Sequence, residues 1–196
     1  MYTHKQDWLK AIQAANKDFQ NRIEIDKLPT NRVPGSKALI TCMDPRVNLE
    51  AIGIPAFSDN GENSSSVRII RTIGGIAEER SLIIGCFLAG INEIVILMHT
   101  DCGCSLAYDK IDVIIQNMEK KIKSSKFNLY QTSLGEPLRD NLRRRLMVFQ
   151  DPYRAVKDEV NRVRNLNFTP QNLVVHGMVY DLESGMVSIE IDGNKV

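Results

Sequence analysis

The chain has 196 residues, 43% of them hydrophobic and 25% charged, with 25 basic against 24 acidic side chains and a formal net charge of +1. This is the balance of a globular chain long enough to bury a full core, and it excludes the strongly basic surface that nucleic acid or an anionic membrane selects. No apolar run approaches the roughly 20 residues that span a bilayer. The start Met1-Tyr2-Thr3-His4-Lys5-Gln6-Asp7 lacks the apolar stretch of a secretory signal, so a cytoplasmic protein with no membrane or nucleic-acid partner is expected.

Over residues 5–20, Trp8, Ile12, Ala15 and Phe19 recur at helical spacing, a narrow stripe that Ile23 and Ile25 prolong. Residues 1–35 are therefore expected to form an amino-terminal helical arm, with a loop over 29–36. Ala38-Leu39-Ile40-Thr41 is a short apolar run ending at Cys42, the pattern of a buried strand. The polar stretch 58–66 reads as a surface loop. Residues 67–71 predict a second strand, Gly74-Gly75 a turn, and about 78–90 a helix. Its centre, Leu82-Ile83-Ile84-Gly85-Cys86-Phe87-Leu88, is apolar on all sides, which predicts a helix enclosed by the domain with Cys86 buried in it. Residues 93–98 predict a third strand ending at His99. Helical spacing returns in Ile111/Ile114/Ile115/Met118/Ile122, Leu138/Leu142/Leu146/Phe149 and Tyr153/Val156/Val160/Val163. Arg143-Arg144-Arg145 is expected on the solvated face of the second of these helices. Residues 172–180 and 186–191 read as strands about the turn Glu183-Ser184-Gly185. Short apolar strands alternating with helices predict an α/β fold: a mostly parallel central sheet flanked by helices, with an antiparallel edge strand at the carboxyl terminus. A single α/β domain over 36–196 is expected, following the arm.

In an open α/β sheet, ligands bind at the carboxyl ends of strands. Two such ends carry unusual residues, Cys42-Met43-Asp44-Pro45-Arg46 and His99-Thr100-Asp101-Cys102-Gly103. Two thiols and an imidazole are donors that Zn²⁺ favours, and three protein ligands leave the open position of a catalytic ion. By spacing alone, a satisfied core histidine and two buried thiols explain the same residues equally well. Asp44 and Arg46 stand two apart on an extended segment, so their side chains point the same way and can pair. Four cysteines, unevenly placed, do not make a disulfide framework. Cys104 reads as a buried thiol, a redox-sensitive neighbour or an alternative ligand.

Cys42, Asp44 and Arg46, followed by His99, Cys102 and Gly103, form the pattern Cys-x-Asp-x-Arg … His-x-x-Cys-Gly, which resembles the β-class carbonic anhydrases, including their CS2 and COS hydrolase-like relatives. The resemblance covers roughly residues 36–192. Residues 67–77 look like the family's strand and glycine-containing turn, and His176-Gly177-Met178-Val179-Tyr180-Asp181 with Gly185 looks like its closing strand pair. It implies that Cys42, His99 and Cys102 bind Zn²⁺ with water or hydroxide as fourth ligand. It also implies that Asp44, held by Arg46, accepts a hydrogen bond from that hydroxide and orients it toward CO2, and that the Gly103 N–H donates to substrate oxygen. In the family, Asp44 can swing onto the metal when Arg46 lets go. The activity so implied is zinc-dependent reversible hydration of CO2 to bicarbonate; the alternatives are CS2 or COS hydrolysis at the same site, or zinc-containing binding or sensing with little turnover. A homodimer or dimer of dimers is implied, with the amino-terminal stripe reaching across to a neighbouring subunit. Three departures stand out. The family's Arg-Asn-Ala-Gly-Asn reads Arg71-Thr72-Ile73-Gly74-Gly75, which changes the pocket wall; Leu39 replaces a Trp of a non-catalytic bicarbonate site; and Cys104 is additional. The loop 59–66 also looks like an insertion.

Overall fold

The computed structural model describes residues 8–22, 35–54 and 67–195. Five strands, β1 (Lys37–Cys42), β2 (Val67–Thr72), β3 (Glu93–His99), β4 (Val174–Tyr180) and β5 (Val187–Ile191), form one sheet in the order β2-β1-β3-β4-β5. The pairs β1–β2, β1–β3 and β3–β4 are parallel, and β5 closes the sheet antiparallel to β4. The α/β class, the strand sequence and the antiparallel edge are those expected from the sequence. Seven α-helices occur among the described residues: α1 (Trp8–Arg22), α2 (Glu79–Phe87), α3 (Gly103–Asp109), α4 (Ile111–Lys121), α5 (Ser124–Leu134), α6 (Leu138–Leu146) and α7 (Pro152–Arg164). Among the described residues, no helix is long and apolar enough to cross a membrane.

A strand covered on both faces needs an unbroken apolar run, and β1 has one. Its alternate side chains supply two cores. Ala38 and Ile40 join Ile94, Ile96, Met98, Val175 and Val179 beneath Val156, Val160 and Val163 of α7. Leu39 joins Leu97, Val47 and Tyr180 in a second core that also contains Cys42, Cys102 and Cys104. The α7 stripe lies close against β4 because residue 177 is glycine: a Cβ there would meet Val160 Cγ2 at 3.0 Å. One acidic side chain interrupts that stripe. Glu159, 3% exposed, accepts from the Ala77 N–H at 2.7 Å and pairs with Arg162, whose guanidinium donates to the Ala77 carbonyl. A buried carboxylate is tolerated only with such partners, and these fasten the segment entering α2 to α7.

Three sequence expectations are corrected. The α2 helix is not enclosed: only Leu82 and Gly85 are buried, while Ile83, Ile84, Phe87 and Leu88 are exposed and Cys86 is half-buried. The sheet covers one side of this helix, so its other apolar side faces outward within the chain. Arg143 does not lie on a purely solvated face. It stacks on the Tyr108 ring at 4.4 Å and donates to the Tyr108 carbonyl. Helices α3 and α5 were not anticipated, since α3 is a seven-residue segment and α5 buries only Phe127. Helix α1 belongs to a separate compact unit and has no buried side chain; Trp8, Leu9, Ile12 and Phe19 are exposed on it. The expectations for Ile23, Ile25, most of the loop 29–36 and the polar stretch 58–66 fall outside the described residues.

Candidate metal centre

The carboxyl ends of β1 and β3 lie side by side, because the two strands pair directly and in parallel. Thr41, fully buried, donates its hydroxyl to the Leu97 carbonyl at 2.8 Å and locks that register one residue before Cys42. Beyond β1 the chain turns through Asp44, Arg46 and Val47. Arg71 at the end of β2 holds this turn, donating to the carbonyls of Cys42 (2.9 Å), Asp44 (3.3 Å) and Val47 (3.3 Å). Beyond β3 the chain passes through Thr100 and Asp101 to Cys102, the N-cap of α3. Cys102 Sγ accepts from the Cys104 N–H at 3.4 Å. Gly103 opens α3, where a backbone N–H has no acceptor within its own helix, and nothing lies within 4 Å of where a Cβ would stand.

The ligand atoms of Cys42, His99 and Cys102 lie within 4.8 Å of one another, and all three residues are buried. The two sulfurs are 3.8 Å apart. Sulfurs each about 2.3 Å from a tetrahedral ion are separated by about that distance. The His99 ring is 1% exposed; its Nδ1 lies 2.8 Å from the Thr100 carbonyl, while Nε2 has no hydrogen-bond partner. A buried nitrogen without a partner is costly unless something binds it. With the proton placed on Nδ1 by that carbonyl, Nε2 presents its lone pair to the two sulfurs, the orientation a metal-binding histidine requires. The three residues make a cluster suited to a metal ion.

Electrostatics favour the same conclusion. The Cys102 sulfur beside it, with help from His99 and the backbone of Asp44 and Gly74, brings the Cys42 thiol down to about 4 against the opposing effect of burial. Cys102 is pushed up by the Cys42 thiolate and by burial. Burial lowers His99, but the Cys42 sulfur and the Thr100 carbonyl outweigh it, and the net shift is upward. Two sulfurs this close cannot both be charged without a cation between them, so metal uptake must expel a proton from Cys102. Cys104 stands apart from the cluster. Its sulfur packs where a Cβ on Gly74 (φ 71°) would lie, at 2.8 Å, and burial pushes its thiol up to about 11.

Asp44 and Arg46 pair as expected. Arg46 Nη2 meets Asp44 Oδ2 at 2.7 Å, Nε reaches both carboxylate oxygens, and the Arg46 N–H donates to Oδ1 at 2.9 Å. The guanidinium holds the Asp44 carboxyl well below the usual carboxylate range. Sequence reasoning missed two residues. Arg71 entered only as part of a segment that departs from the family pattern, although its charge beside a strand end was a usable signal. Asp101 was passed over between two members of the cluster, yet it binds Arg46 through its carboxylate and its carbonyl.

The family model described as Carbonic anhydrase matches residues 37–187, which span both strand ends. A Bacillus subtilis protein named "Putative carbonic anhydrase YtiB" is 26% identical over 192 residues, covering 94% of this chain and 97% of that protein. A carbon disulfide hydrolase of Acidithiobacillus thiooxidans is 27% identical over 165 residues, covering 78% of this chain and 77% of that one. The crystal structure of β-carbonic anhydrase isoform I from Trichomonas vaginalis is similar with a TM-score of 0.73 at 25% identity, over 96% of this chain and 100% of that one. Since one family model covers most of the chain and a solved β-carbonic anhydrase matches it over nearly its whole length, this protein is a member of the β-class carbonic anhydrase family.

Proposed function

We propose that the chain catalyses the reversible hydration of CO2 to bicarbonate, with Zn²⁺ held by Cys42, His99 and Cys102 and with Asp44, Arg46 and Gly103 serving the reaction around it. The partnerless Nε2 of His99, facing two sulfurs 3.8 Å apart, carries this reading. The fit to zinc is in both donor type and spacing, and three protein donors leave one position open. When bound, the ion supplies a water ionised near neutral pH, at about 7, and polarises substrate oxygen. Asp44, kept ionised by Arg46, can only accept a hydrogen bond, so the nucleophile's remaining proton stays on its oxygen and points at Asp44, which turns a lone pair toward the substrate carbon. The Gly103 N–H is the donor for the oxygen that gains charge.

A second reading, hydrolysis of CS2 or COS at the same residues, is favoured by the likeness to carbon disulfide hydrolases. Sulfide release on exposure to CS2, measured beside CO2 hydration, tests it; CO2 hydration without sulfide excludes it, and sulfide with no hydration reverses the order of the two.

The reading includes assembly as a homodimer or dimer of dimers. Its support is exposed apolar surface: Trp8, Ile12 and Phe19 on α1, Met43 and Leu106 on the segments that carry the metal cluster, and Ile73 on the turn after β2. An isologous pairing buries such surface on both chains at once. Light scattering at low micromolar concentration is expected to find a dimer or larger, and deleting residues 1–27 to abolish activity. A fully active 22 kDa species contradicts this.

A further inference from the structure

Arg46 is held from two directions. Toward its own loop it grips Asp44. Across to the segment after β3, Nη1 donates to Asp101 Oδ2 at 2.7 Å and Nη2 to the Asp101 carbonyl at 2.9 Å. Asp101 has φ 50°, a left-handed conformation that most L residues avoid and that Asp, Asn and Gly tolerate. That backbone turns both of its acceptors onto one guanidinium, between the two ligands His99 and Cys102.

The Asp44–Arg46 pair alone cannot fix its own place. Both residues sit on the loop after β1, two positions apart; Arg71 holds the backbone of that loop from β2, but the two side chains could still move together relative to His99 and Cys102. The bonds to Asp101 are what tie this side-chain pair to the loop after β3. We propose that Asp101 is a positioning residue: it anchors Arg46 through Nη1 and Nη2, on the edge next to the one that grips Asp44, and thereby sets where the Asp44 carboxylate stands relative to the metal cluster. For its kinetic readout this rests on the hydration reading above. The Asp101 side chain is 81% exposed, so the ion pair adds little to stability and the consequence of losing it is expected in geometry.

Asp101→Gly and Asp101→Asn both tolerate the positive φ, so neither strains the loop. In the metal-loaded protein, both are expected to keep parental metal content. Asp101→Gly should lower kcat by about three- to tenfold, the scale of one partly exposed charge-assisted bond, with a smaller change in KM. Asp101→Asn should fall in the same direction. If Asp101 acts through Arg46, adding Asp101→Gly to Arg46→Ala costs nothing further, whereas a merely structural role gives additive losses. A second readout needs no turnover: in ¹⁵N-labelled protein, the Arg46 guanidinium signals should be resolved and restricted in the parent and averaged in Asp101→Gly. Parental kcat in both variants with a still-restricted guanidinium, or additive losses in the double variant, overturns the proposal. If the parent fails to hydrate CO2 while Asp101→Gly still frees the guanidinium, the hydration reading fails and the positioning role stands.

Discussion

Asp44→Asn and Arg46→Ala proteins are expected to retain their metal and to lose CO2 hydration by about 100-fold or more, the scale of a positioned proton acceptor. Neither side chain belongs to the donor cluster, so metal content should not follow activity down. In Asp44→Asn the acceptor-only carboxylate becomes an amide that can present N–H₂ to the nucleophile, and the lone pair is no longer forced toward carbon. In Arg46→Ala the carboxylate remains but loses three side-chain hydrogen bonds and the cation that keeps it ionised. Removing that cation moves the Asp44 pKa upward toward the ordinary carboxylate range. Protonation then begins at a higher pH, still well below the near-neutral ionisation of metal-bound water, so the limb near neutrality should stay in place and a second fall should appear at more acid pH. Stopped-flow hydration across pH, with metal analysis on the same samples, checks both effects. Absence of that second fall in Arg46→Ala would show that Arg46 does not govern Asp44.

Cys102→Ser is expected to lose most of its metal, and activity with it. A serine hydroxyl does not ionise at neutral pH and is a poor substitute for the thiolate that zinc favours. The substitution also separates metal binding from folding. Cys102 caps α3 by accepting from the Cys104 N–H, and Ser is among the best residues for that task. The helix should therefore keep its start, with secondary structure close to the parent's by circular dichroism. Undiminished metal would mean the donors are misassigned, whereas global unfolding would point to a larger structural role for the sulfur.

Much of this architecture was legible because it depends on local pattern. The run Ala38-Leu39-Ile40-Thr41 could only be a strand covered on both faces, and the α7 stripe Val156, Val160 and Val163 placed itself on the sheet. The candidate site was legible for the same reason: it lies where two such strands end. What escaped depends on long-range neighbours. The all-round apolar character of α2 reads as burial, but periodicity does not say whether the cover comes from the same chain, and three of its large side chains, with Leu88 at its C-cap, are exposed here. Arg143 reads as one of three surface arginines, and only the fold brings Tyr108 under it. Asp101 and Arg71 gain their meaning from hydrogen bonds that span 55 and 29 positions of the sequence. Only the tolerance of Asp for a left-handed turn hinted at the first of these.

Zinc content and stopped-flow CO2 hydration, measured on one preparation, decide whether the cluster is a catalytic zinc site. About one Zn²⁺ per chain is expected, with hydration well above the buffer rate and rising as the pH passes upward through neutrality. A protein fully loaded with zinc that hydrates CO2 no faster than buffer would contradict that expectation.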